Sequence, residues 1–369
     1  MKRIHTILII LLLAVTYGEA KKSSDDRQMD DFITSLMKKM TLEEKIGQLN
    51  LGGVGSPKVV GSAIGLDEAI RKGLVSSVGG FDAKAAEDAQ KFAVENSRMK
   101  IPLITGLDVV HGYYTIFPIP LASACSWNMP LLEESARVAA DEASAFGINW
   151  TFAPMVDICR DPRWGRIAEG AGEDPCLGSR IGRAMVRGFQ GDDLSKPNTL
   201  LACVKHFALY GASEAGRDYN TVSMDPVTMY NYYLPPYKAA FDEGAGSGMT
   251  SFNVVNGVPA TGNKWLLTDL LRDQWKFKGF MVSDANSLAE MSEHGMGGAQ
   301  RITELAMNAG LDMDMSSSLY VLCLKKAVEE KRVPLSRIDA ACRRVLEAKY
   351  KLGLFEDPFR YLKNKQRQS

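Results

Sequence analysis

Asp284 stands at the end of a short run of strand-forming character, Phe280, Met281, Val282 and Ser283, and is followed by Ala285, Asn286 and Ser287. A carboxylate at the tip of a buried strand is desolvated on one side and open to a ligand on the other. That environment suits a nucleophile or a general base. An equally good local reading makes Asp284 the cap of a helix beginning near Ser287. Other polar groups follow apolar runs in the same way. Asp108 lies in the segment 106–112, Asp157 follows Ala153, Pro154, Met155 and Val156, and Lys205 and His206 sit between Val204 and Phe207. A lysine and a histidine in so apolar a setting are costly to bury without partners. Their natural partners are Asp108 and Asp157, or a polyhydroxylated ligand. Arg166 adds a fork of donors and Trp164 an aromatic platform. Carboxylates, a Lys, a His, an Arg and an aromatic surface together describe a pocket for sugar hydroxyls. Each residue also has a plainer reading. His111, before Gly112, reads as structural, Arg160 and Arg163 as ion-paired loop formers, Asp157 as a turn residue, and Met249 as core or pocket wall.

Something must bring these groups to one place. Short apolar runs at 46–51, 76–81, 102–110, 148–154, 202–209, 248–255, 277–283 and 310–315 alternate with helical patterns. Most of the runs are continuous rather than alternating, as strands buried on both faces should be. Eight strands interleaved with helices predict an α/β fold, a single-domain (β/α)8 barrel, whose functional side chains collect just after the strands. A doubly wound open sheet would want a glycine-rich phosphate loop after its first strand, and Gly52, Gly53 and Gly55 lack the full spacing. A phosphate-handling barrel is disfavoured similarly. Gly295, Gly297 and Gly298 read more simply as a turn feeding a helix.

The N-terminus is a separate matter. Lys2 and Arg3 precede a wholly apolar run from Ile7 to Val15, and Gly18, Glu19 and Ala20 follow. Residues 1–20 therefore predict a secretory signal and an exported protein, periplasmic or extracellular. The run is too short to span a membrane. Residues 21–31 read as a flexible polar segment, 32–360 as the barrel, and 361–369 as a polar tail. The chain has 44 basic and 44 acidic residues, and losing Lys2, Arg3 and Glu19 with the signal leaves a net charge of −1. Near-neutral charge without a basic cluster argues against a nucleic-acid partner. Six scattered cysteines without a C-x-x-C pair, and four histidines, argue against a metal site, and no cofactor is expected. Cys159 and Cys203, in apolar surroundings, read as buried free thiols.

On the segments 106–112, 161–166 with 172–175, 205–207, 251–257 and 279–284, the chain resembles glycoside hydrolase family 3, of the β-glucosidase and β-xylosidase type. The likeness runs from about Leu42 to Arg360. It implies that Asp284 is the nucleophile of a retaining, exo-acting β-glycosidase acting on terminal β-D-glucosyl residues, through a covalent glycosyl–enzyme. It also implies that Asp108, Arg166, Lys205 and His206 hold the hydroxyls of that sugar. Larger family members carry a second α/β domain that supplies the general acid/base. The segment 362–369 is too short and polar to be one, and the loop 208–219 lacks the histidine used by single-domain relatives. The acid/base is thus unidentified, with Glu214, Asp218 and Glu293 as unranked carboxyls. Two alternatives follow: a catalytically incomplete sugar-binding barrel, or a barrel that takes its acid/base from a separate chain. Either expects an apolar patch on the barrel rim, open to a partner chain or to self-association. Many relatives carry Trp after the nucleophile. Ala285 stands there in this chain and leaves the leaving-group side undefined.

Overall fold

The computed structural model describes residues 24–53, 65–79 and 83–363, so the expected signal segment and the tail beyond residue 363 lie outside the described residues. Residues 24–39 belong to a unit of their own and contain one helix, Ser24–Met37. The segment expected to be flexible is therefore helical from Ser24 onward. Asp25 and Asp26 put negative charge in its first turn, where the helix dipole favours it. A second helix, Leu42–Gly47, starts at a capping box in which Thr41 and Glu44 exchange backbone-to-side-chain bonds of 2.8 and 3.2 Å.

Each predicted strand run contains or overlaps an observed strand. In chain order these are β1 (Asn50–Gly53), β2 (Ser77–Gly79), β3 (Ile104–Leu107), β4 (Trp150–Thr151), β5 (Leu201–Phe207) and β6 (Ser247–Thr250). Then come β7 (Val254–Val255), β8 (Val258–Pro259), β9 (Phe280–Val282) and β10 (Asp314–Met315). The run 248–255 is two elements: β6 in the barrel, and then β7, which pairs antiparallel with β8. The eight other strands form one parallel sheet in the order β10-β1-β2-β3-β4-β5-β6-β9. A parallel bridge between Val282 and Met313, with Ser283 N–H donating to the Met313 carbonyl at 2.9 Å, joins the last strand to the first and closes the barrel. Every strand of this sheet thereby has a partner on both sides.

Side chains fill the interior. Trp150 on β4 lies fully buried against Phe280 on β9, three strands away around the sheet, with ring centroids 5.2 Å apart. Its indole N–H donates to Ser247 Oγ at 2.8 Å, so the one polar atom of this large residue is satisfied. Below the strands, the Asp312 carboxylate accepts from Arg272 Nη2 at 2.6 Å, from Arg344 Nη1 at 2.7 Å and from Met281 N–H at 2.7 Å. That latch sits where β9 and β10 meet. It leaves the opposite, C-terminal rim to carry the functional groups.

Candidate active site

The polar residues singled out in the sequence do converge on that rim. Lys205 and His206 are the fifth and sixth residues of β5, Asp108 directly follows β3, and Asp284 lies two residues beyond β9. Arg166 precedes a short 3-10 turn, Ile167–Glu169, on the loop after β4. Met249, on β6, is 2% exposed and belongs to the core beneath the rim.

His206 is the hub. Its ring Nε2 lies 3.0 Å from Arg166 Nη2, its Nδ1 2.9 Å from Asp157 Oδ2, and its Nε2 3.6 Å from Asp284 Oδ2. A guanidinium only donates, so Nε2 is assigned as the acceptor and Nδ1 as the N–H that donates to Asp157. The same Asp157 oxygen accepts the backbone N–H of His206 at 2.9 Å. Its other oxygen meets the Tyr237 hydroxyl, which also faces the His206 carbonyl at 2.8 Å. Asp157, read alternatively as a turn residue, is instead fully buried and orients the histidine. Burial, and then Asp157, raise the Tyr237 pKa well above its ordinary value, so this hydroxyl keeps its proton.

Arg166 is held from its other side by Glu169, through Nε to Oε1 at 2.7 Å and Nη2 to Oε2 at 2.9 Å. Burial disfavours charge on both partners, yet the paired bonds win: the Glu169 pKa is lowered and the Arg166 pKa raised. Lys205, almost fully buried, donates to Asp108, whose carboxylate is largely open to solvent. Asp284 is 14% exposed. Its Oδ1 accepts the Ala285 N–H at 2.7 Å, while the buried Oδ2 has no hydrogen-bond donor. A sheltered carboxylate oxygen without a donor keeps its lone pairs available, and in a native structure it asks for an explanation.

The profile of the glycosyl hydrolase family 3 N-terminal domain matches residues 41–348. The chain belongs to this family. It is 43% identical over 339 residues to a periplasmic β-glucosidase of Salmonella typhimurium, covering 90% of this chain and 43% of that protein. It is 32% identical over 368 residues to a putative β-xylosidase of Formosa agariphila. The crystal structure of a β-glucosidase from Listeria innocua superposes with a TM-score of 0.85 at 43% identity, over 90% of this chain and 48% of that one. The chain thus spans about half the length of the relatives it matches.

Within this family member, other expectations fare unevenly. Trp164 is no open platform: it is 1% exposed, and its indole N–H donates to Asp218 at 2.9 Å. An indole followed two residues later by Arg166 can be sheltered whenever its N–H finds a carboxylate, which local sequence does not reveal. Asp218 is therefore engaged, and Glu214 and Glu293 are exposed. His111 sets its Nδ1 3.1 Å from the Phe117 carbonyl, in keeping with a structural role. Arg163 pairs with Asp161, whereas Arg160 lies 5.0 Å from the Tyr232 ring centroid. Cys159 and Cys203 are buried free thiols. Tyr114, Ile116 and Trp127, between β3 and the helix Met129–Ala145, are each more than two-thirds open. Residues unforeseen in the sequence are Glu169, Tyr237, Tyr210 and Glu290. The Glu290 pKa is raised by burial, then by Asp284 and Glu293. No described helix is long and apolar enough to cross a membrane.

Proposed function

We propose that this chain carries the sugar-binding site and the nucleophile of a retaining, exo-acting β-glucosidase. One observation carries the reading: Asp284 Oδ2 is sheltered, has no donor, and faces the His206–Arg166 pair at the mouth of the barrel. In the proposed reaction the Asp284 carboxylate attacks the anomeric carbon of a terminal β-D-glucosyl residue as the bond to the glycosidic oxygen breaks. The leaving oxygen takes up a proton. Water then cleaves the glycosyl ester, releasing the sugar and restoring the carboxylate. Lys205, Arg166, His206 and Asp108 hold the sugar hydroxyls through bonds that tighten as the ring flattens, which lowers the barrier rather than only aiding binding. The names of the relatives make β-xylosides a second substrate class.

The engagement of Asp218 by Trp164 leaves the general acid/base unassigned among the three carboxyls first considered. On this reading the barrel accepts glycosyl groups from leaving groups that need no proton and releases them slowly. A general acid/base is worth about 10²–10⁴ in rate. Intact-mass spectrometry after incubation with a 2-deoxy-2-fluoroglucoside bearing an activated aryl leaving group tests the proposal. One added glycosyl mass on the peptide holding Asp284 supports it. Folded protein without an adduct favours a barrel that binds sugars without turning them over. The apolar run Ile7 to Val15 supports export, and N-terminal sequencing of the secreted chain should begin near residue 21.

A further inference from the structure

Ala285, exposed beside Asp284, offers no aromatic surface to a leaving group. A ring nevertheless stands at this mouth. Tyr219, on the loop after β5, is 49% exposed. Its ring meets Phe252 edge-on with centroids 4.7 Å apart and lies 6.3 Å from Tyr210. Tyr210 in turn lies 5.3 Å from the His206 ring and 5.5 Å from the Arg166 guanidinium. Two ring-to-ring steps therefore tie a half-exposed tyrosine to the hub of the site. The backbone of Tyr219 is left-handed, at φ 66, and the loop around it is pinned. Asn220 N–H donates to the Arg217 carbonyl at 3.2 Å and Glu214 N–H to the Thr221 carbonyl at 2.9 Å. Such a conformation is uncommon outside glycine, and the loop holds it with a bulky aromatic residue in place. Burial of the inner edge raises the phenol pKa first, and the carboxylates Asp218, Glu290 and Asp284 add to it. The phenol thus shares the mouth with Asp284.

We infer that Tyr219 is the stacking wall of the leaving-group subsite, and that the subsite takes a ring-bearing leaving group, an aryl group or a second pyranose. Phe252 and Tyr210 brace one side of the ring, and the open side meets the leaving group. This inference rests on the proposed function. The test uses the full chain and follows labelling of Asp284 by 2-deoxy-2-fluoro-β-D-glucosyl fluoride, whose fluoride leaves without a proton. Phenyl and methyl 1-thio-β-D-glucosides serve as protecting competitors that differ only on the leaving-group side. The unaltered chain should be protected about tenfold better by the phenyl compound, the size of a good aromatic contact. Tyr219→Phe should keep that ratio, and Tyr219→Ala should bring it to about one. Tyr219→Leu replaces Tyr219→Ala if the smaller side chain prevents labelling. A ratio unchanged in Tyr219→Ala, or in Tyr219→Leu where that replaces it, or no preference in the unaltered chain, overturns the inference while leaving the proposed function standing. Absence of any labelling in folded, unaltered chain overturns both.

Discussion

One oxygen of Asp157 accepts both the backbone N–H and the ring Nδ1–H of His206, each at 2.9 Å. Main chain and imidazole are thus fixed by the same atom, and Nε2 is left as an acceptor toward Arg166. Asp157→Asn preserves the shape but removes the charge from this bond. A hydrogen bond to a charged group is worth about 1.5–3 kcal/mol, so labelling of Asp284 should slow by roughly 10- to 100-fold. Loss of packing alone would leave the imidazole tautomer unchanged. Nitrogen-15 NMR of His206 separates the two cases, since only a positioning role requires the Nδ1–H form to fade.

The missing donor at Asp284 Oδ2 has a consequence for stability as well as reactivity. Burying an oxygen without a partner costs free energy, so the native side chain is not the most stable choice for its place. Asp284→Asn should abolish covalent labelling and leave the thermal midpoint equal or higher. A midpoint several degrees lower would mean that the carboxylate is a structural anchor, and the proposed nucleophile would lose its main support.

How much of this was readable in the sequence follows from the range of each interaction. Asp284, Lys205 and His206 were legible because strand character and the polar residue that ends it are neighbours in the chain. The barrel was legible because buried parallel strands leave continuous apolar runs. Tyr237 was not, because it meets Asp157 from 80 residues away and its helical surroundings look ordinary. Trp164 was misread as a platform because its shelter depends on Asp218, 54 residues further on. The helix from Ser24 was missed because a polar, charged segment looks the same whether it is helical or loose.

The latch at Asp312 predicts where the barrel is weakest to mutation. This carboxylate is 2% exposed and holds Arg272, Arg344 and the Met281 N–H together. Asp312→Ala would leave the Arg272 guanidinium, itself largely buried, without its anion. Breaking a buried pair from one side costs about 3–5 kcal/mol. Urea unfolding should show a loss of that order, with Asp312→Asn in between because it still accepts from Met281. A loss under about 1 kcal/mol would place closure of the barrel elsewhere, within the range of an ordinary surface change.

Lys349 offers a test with a definite sign. It is fully buried, donates to Gln48 Oε1 at 2.7 Å, and has its pKa lowered from 10.5 to about 7 by burial, against a smaller opposing effect from Cys342. Below pH 7 both the folded and the unfolded chain hold the proton, and the burial penalty is felt in full. Between that pH and the unfolded value the folded chain sheds the proton while the unfolded chain keeps it. The unfolded state then binds more protons, so this group makes stability rise with pH, by about 1.4 kcal/mol per unit. Lys349→Met removes the group and leaves Gln48 without this donor. The variant should be more stable than the unaltered chain by about 1–4 kcal/mol at pH 6 to 7. That advantage should shrink steadily toward pH 9. Urea unfolding of both proteins across that range measures the difference directly. An advantage that grows with pH, or a variant less stable at pH 6, would contradict a penalised buried ammonium.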